Sequence, residues 1–159
     1  MIRIFIDERG SGHDDLILKI DAHPTFSQVA DTYYLADFLK VDLDGVENIV
    51  SELGISYINY FMQELENIDG EQFVIFDISD EYLGGLLFTQ KKKGLLQINY
   101  GTTEKIHGYD IHKDCLKQVL FERKPEFDRR GEWLLSYESI VENLNWSIQK
   151  IKNQNAVDE

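Results

Sequence analysis

The sequence predicts an α+β protein: one domain built on an antiparallel meander sheet of about five to seven strands, with helices packed on it. Three observations carry that expectation. Apolar and polar residues alternate in short runs near the N-terminus and again at Leu96, Ile98 and Tyr100, the period of two shown by half-buried strands, and Phe73 to Ile78 is a short run apolar on both faces. The turns between those runs are too short for the crossover of a dozen or more residues that parallel neighbours need, so adjacent strands pair antiparallel. Other stretches place apolar residues at i, i+3, i+4 and i+7, which is one face of a helix. With 159 residues, 43% of them apolar, the chain can also fill a core.

The elements follow in order. Ile2, Ile4 and Ile6 alternate with Arg3 and Asp7 and form a first strand. Glu8 to Asp14, with Gly10-Ser11-Gly12, reads as a loop, and Leu16, Leu18 and Ile20 give a second strand in a hairpin with the first. Thr25 and Gln28 have the spacing of a capping box, so a helix is expected from there to about Lys40, with Val29, Tyr33 and Ala36 on one face. Asp44 is placed to cap the next helix, whose stripe is Val46, Ile49, Val50 and Leu53. After Gly54 the stripe resumes at Ile58, Phe61, Met62 and Leu65, so this is one kinked helix or two consecutive ones ending near Asp69-Gly70.

Phe73 to Ile78 is apolar on both faces, as a covered central strand is. Leu83 to Thr89 follows, then the turn Lys91-Lys92-Lys93-Gly94 and a strand through Leu96, Ile98 and Tyr100. Gly101-Thr102-Thr103 reads as a turn into a further strand around Ile106 to Tyr109. Ile111, Cys115, Leu116, Val119 and Leu120 are at helical spacing behind Asp110, which makes Cys115 a small buried hydrophobe rather than a nucleophile. Glu122 to Gly131 reads as a loop and Trp133 to Leu135 as a short strand. Ser136 caps a last helix with the stripe Ile140, Leu144, Ile148 and Ile151. Residues 1–152 are expected to form the domain, and 153–159 a frayed polar tail.

Charge is the most informative feature for function. Between Asp31 and Gln90 there are thirteen carboxylates and one base, Lys40, whereas residues 91–159 hold eleven acids and twelve bases. The net charge of −13 is therefore concentrated in one segment. Ordinary solvated helices mix signs to gain i, i+4 pairs, yet Glu47, Glu52, Glu64 and Glu66 have no cation at that spacing. Such a field disfavours nucleic acid and anionic lipid as partners and favours a basic protein. The lysine triplet at 91–93 is accounted for by a hairpin turn.

Other chemistries find little support. Asp42-Leu43-Asp44-Gly45 imitates part of a calcium loop, but aligning Gly45 to position 6 puts Lys40 at position 1 and Ser51 at position 12, so no metal is expected. The four histidines lack zinc-ligand spacing. His13-Asp14-Asp15 is expected to be a solvated loop rather than an acid–base group. No nucleophile elbow or phosphate-binding glycine motif is present, and no cofactor is implied. The lone Cys115, the absence of an apolar leader and the lack of any run of eighteen apolar residues point to a cytoplasmic protein.

The stretch Phe76-Asp77-Ile78-Ser79-Asp80-Glu81-Tyr82-Leu83-Gly84-Gly85, followed by the lysine hairpin and Ile98-Asn99-Tyr100-Gly101, resembles immunity proteins of bacterial polymorphic toxin systems, including contact-dependent growth inhibition. The likeness covers about residues 72–110. It implies a small cytosolic protein that binds the C-terminal toxin domain of a delivered effector and blocks it. Such toxins are frequently nucleases with basic grooves. The resemblance carries over no catalytic residues. Two classes remain open: an acidic inhibitor, or a small-ligand protein or enzyme with a pocket beside the sheet. For the first, the expected contact residues are Glu64, Glu66, Asp69 and Glu71 at one end of the central strand and Asp77, Asp80, Glu81 and Tyr82 at the other. The second group is preferred, because a turn there would present carboxylates beside an aromatic anchor.

Overall fold

The computed structural model describes residues 1–7, 13 and 15–155. Most of the expected Glu8–Asp14 loop and the last four residues of the expected tail lie outside the described residues. Strand β1 (Ile2–Ile6) pairs antiparallel with β2 (Leu16–Ile20) from Ile2↔Ile20 to Ile6↔Leu16. The alternating isoleucines and leucines of both strands are buried, as their period of two requires.

Among the described residues the seven strands are all antiparallel, but they form two meanders: β1-β2-β3 and β4-β5-β6-β7. The division arises at Phe26–Ala30, where a strand, β3, replaces the expected helix start. It extends the first sheet through Leu16↔Ala30 and Ile20↔Phe26. Burial overrides the local capping pattern, because Phe26 packs on Tyr100 and Trp133 of the second sheet at centroid distances of 4.8 and 5.5 Å. Helix α1 (Thr32–Leu39) starts only afterwards. Its cap is Asp31, whose Oδ1 accepts from the Tyr33 amide at 2.8 Å.

Helix α2 (Ile49–Glu66) is continuous. Its cap is Asn48, accepting from the Ser51 amide at 3.1 Å, and not Asp44, which lies in a preceding turn. Gly54 does not interrupt it. A Cβ there would stand 2.9 Å from Ile6 Cγ2 and 3.3 Å from Ile151 Cδ1, so the missing side chain lets α2 approach β1 and the last helix closely.

The second sheet comprises β4 (Glu71–Ile78), β5 (Leu83–Lys92), β6 (Leu95–Thr103) and β7 (Asp128–Ser136). Gly101-Thr102-Thr103 continues β6 instead of turning, and the expected strand at Ile106–Tyr109 is absent. There the chain leaves the sheet, the Gly108 amide donates to the Ser79 carbonyl at 3.0 Å, and Gly108–Asp110 forms a 3₁₀ turn. Helix α3 is Leu116–Arg123, so Ile111 and Cys115 precede it. Cys115 is half-buried in a turn, its thiol 3.3 Å from both the amide and the carbonyl of His112. The expected loop up to Gly131 gives way to β7 at Asp128, paired with β6 from Thr102↔Asp128 to Leu95↔Ser136. Helix α4 (Tyr137–Asn155) begins as expected, with Ser136 Oγ accepting from the Ser139 amide at 3.2 Å. Its stripe of Ile140, Leu144, Ile148 and Ile151 joins one apolar core shared by both sheets. No helix among the described residues is long and apolar enough to cross a membrane.

Candidate protein-binding site

Strand β4 organises the acidic residues. Phe73 to Ile78 is buried throughout, because the strand is covered on both faces. Its solvent chemistry is therefore confined to its ends. Eight residues at ~3.3 Å each hold those ends roughly 23 Å apart.

At the N-terminal end the acids find tertiary cations. Glu64, on α2, has a side chain only 17% exposed, accepts from Gln72 Nε2 and pairs with Lys117 Nζ of α3 at 3.1 Å. Glu71 lies 2.8 and 3.0 Å, through its two oxygens, from Arg129 Nη2 of β7. Glu66 and Asp69 remain exposed. The bases come from the 91–159 segment, so the fold folds part of the balancing charge back onto the acidic tract.

At the C-terminal end the acids meet tyrosines instead. Asp77 is 5% exposed, and its Oδ2 accepts from Gln28 Nε2 at 2.9 Å and from Tyr82 OH at 2.7 Å. Since Gln28 belongs to β3, this carboxylate ties the two sheets together. Asp77 is thus an internal linchpin and not the outward contact the sequence reading expected, while Tyr82 is half-buried with its hydroxyl committed to Asp77. The buried Tyr100 hydroxyl has no hydrogen-bond partner; burial, and then the charge of Asp77, pushes its pKa up and keeps it protonated. The turn itself is held by Ser79, whose Oγ accepts from the amides of Glu81 and Tyr82 at 3.2 and 3.1 Å. Glu81 is exposed, as expected.

Asp80 sits at the tip of this turn and is the centre of the site. It accepts from the hydroxyls of Tyr109 and Tyr34, and these two bonds hold its carboxyl below the usual carboxylate range. The same bonds raise the pKa of both phenols, so the tyrosines stay protonated while Asp80 stays charged. Tyr33 stands edge-on to Tyr34 at 5.4 Å and 89°, and Tyr34 to Tyr109 at 6.1 Å and 77°. Tyr33 is 62% exposed and Tyr109 70% exposed. At the margin, His107 Nδ1 lies 2.9 Å from the Asp80 carbonyl oxygen. On the other side His13 Nδ1 lies 2.9 Å from Asp31 Oδ2. Among the described residues no lysine or arginine pairs with Asp80 or Glu81.

The sequence reading located the turn but missed Tyr33, Tyr34, Tyr109 and Gln28. It placed Tyr33 on the inner face of a helix that, in the structure, begins six residues later than expected. The available signal was the adjacent pair Tyr33-Tyr34 behind a capping aspartate; two aromatics in succession cannot both face a core.

Elsewhere, a groove of about 370 Å³ opens beside the sheet between Lys92, Gln97, Glu132 and Trp133. Its charged lining, Lys91, Lys92 and Glu132, is exposed to solvent. The Cys115 thiol accepts from the His112 amide and donates to the His112 carbonyl. Among the described residues no three His, Cys, Asp or Glu side chains are grouped to hold a metal ion. Compared with known proteins, the chain matches no family model, no curated protein and no solved structure.

Proposed function

We propose that this chain is a cytoplasmic immunity-type binding protein that neutralises a basic toxin domain by stoichiometric association, with the Asp80 turn as its principal contact surface. The single observation that carries the reading is the Asp80 carboxylate held between two tyrosine hydroxyls with no lysine or arginine partner among the described residues, on a chain of net charge −13. Neutral donors fix the carboxylate without cancelling its charge, so that charge is available to a cationic partner. Exposed tyrosines supply contact area at a small cost in rotamer entropy, and tyrosine is over-represented among residues that dominate interface energetics.

Inhibition follows from occupancy. A nuclease groove must be basic to hold phosphate; an acidic protein seated in it excludes the substrate, and opposite fields accelerate the encounter. The resemblance of residues 72–110 to immunity proteins supplies the class of partner, namely the C-terminal domain of a polymorphic toxin.

The test is to search the genes beside this one for a toxin C-terminal domain, purify that domain with this protein and measure association at several salt concentrations. A 1:1 complex should form, with an association rate that falls as ionic strength rises. A complex whose rate is indifferent to salt, or the absence of any complex, would overturn the proposal.

A further inference from the structure

We infer that the corner formed by Tyr33, Tyr34, Tyr109 and Asp80 is a seat for an arginine side chain of the partner. The inference rests on the binding function proposed above and specifies its central contact.

The near-perpendicular rings give the patch walls. Tyr34 is set between Tyr33 and Tyr109 with interplanar angles of 89° and 77°, so the three rings cannot collapse into one flat stack. The outer two are mostly open to solvent and have faces to offer. Aromatic faces attract cations because the ring quadrupole is negative there. Hydroxyls that donate to a carboxylate gain electron density on the ring, which strengthens that attraction. Asp80 adds a full negative charge at the same place, and its carboxylate retains acceptor capacity beyond the two phenol bonds.

A guanidinium fits this chemistry better than an ammonium. It is planar, stacks on aromatic faces, sheds its hydration more easily and presents a fork of donors to a carboxylate. The ammonium of lysine is compact and strongly hydrated, so it would gain Asp80 but little from the rings. Among the described residues no lysine or arginine pairs with Asp80, whereas Glu64, Glu71 and Asp114 each have a lysine or arginine from this chain. The surrounding groups agree in sign: Glu81 is exposed beside the turn, and Asp31 and Asp37 lie on or next to the helix that carries Tyr33 and Tyr34.

The probes are two blocked tripeptides, Ac-Gly-Arg-Gly-NH₂ and Ac-Gly-Lys-Gly-NH₂, titrated into the full chain with detection by amide and aromatic NMR shifts. The arginine peptide should bind at least fivefold more tightly and shift the ring signals of Tyr33, Tyr34 and Tyr109. Tyr33→Ala and Tyr109→Ala, both at exposed rings, should abolish that preference while the amide spectrum remains that of the folded protein. Equal affinity for the two peptides, or shifts confined to other residues, would overturn the arginine seat. Should that happen while charge reversal at the turn still weakens the toxin complex, the binding function stands and only the seat falls. Should the turn variants leave the complex intact, the function itself is displaced to another surface.

Discussion

The two ends of β4 are built from the same kinds of residue and end up chemically opposite. At Glu71 the carboxylates meet Arg129 and, through neighbouring Glu64, Lys117. At Asp80 the carboxylate accepts from the phenols of Tyr109 and Tyr34, and among the described residues no lysine or arginine pairs with it. Neutralised acids brace one element against another; acids held ionised by neutral donors keep their charge available. Counting charges along the chain treats both ends alike, and the difference lies in what the rest of the fold delivers to each. A dense anionic tract is therefore no uniform surface. Part of it is internal electrostatics, and part faces outward.

Four expected outcomes sharpen or break this contrast. Charge reversal at the tip, Asp80→Lys with Glu81→Lys, should weaken binding to a toxin domain at least tenfold in titration calorimetry, with the thermal midpoint nearly unmoved. The matching pair at the other end, Glu66→Lys with Asp69→Lys, should change affinity less than threefold. Equal losses from both pairs would mean that the field acts as a whole and that the Asp80 end is not special.

Asp77→Ala tests whether the carboxylate beside the tip serves folding. It removes the acceptor of Gln28 and Tyr82 and leaves two donors in a buried site, which should lower stability by about 1–3 kcal/mol in denaturant unfolding. The association rate of the folded variant with its partner should change little. A stable Asp77→Ala protein with slowed association would move Asp77 into the interface.

Glu71→Gln discards the Arg129 pair, whose side chains are 42% and 44% exposed. Solvent screens such a pair, so stability should fall by at most about 1 kcal/mol and affinity should hold. A larger loss would show that this end contributes more rigidity than its exposure implies.

The smallest effect concerns pH. The Asp80 carboxyl titrates below its unfolded value of about 3.9, so its bonds to Tyr34 and Tyr109 contribute fully above that pH and are lost as pH falls through the folded value. Ring signals of Tyr34 and Tyr109 should therefore stay constant on acidification past the normal aspartate range and shift only below it. A midpoint at the ordinary value would mean that the phenols do not hold the charge.

How far the sequence reveals this protein depends on the range of each interaction. The period-two runs at β1, β2 and β6, the continuous apolar run of β4 and the stripe of α4 were legible because neighbouring residues alone set them. The capping signal at Thr25 misled for a related reason: it is local, whereas Phe26 is drawn into β3 by Tyr100 and Trp133, more than seventy residues away. The boundary after Thr103 was missed because a tertiary bond, Gly108 to Ser79, and not a turn motif, draws the chain off the sheet. Of the site residues expected from sequence, Asp80 and Glu81 face solvent at the chosen turn, Tyr82 is half-buried and Asp77 is buried.

By itself, then, the sequence determined an α+β class, antiparallel pairing, the order of most elements and an acidic segment centred on α2 and β4. Periodicity, turn length and charge totals are properties of the chain read in order, and folding cannot alter them. Tertiary structure alone decided that the strands form two sheets, that Glu64 and Glu71 are neutralised, and that Tyr33, Tyr34 and Tyr109 converge on Asp80. Tyr34 and Asp80 are 46 positions apart, and Glu71 and Arg129 are 58 apart. No local pattern encodes such a meeting; it exists only once burial of the shared core has set β4 beside α1 on one side and brought β7 within reach of its opposite end.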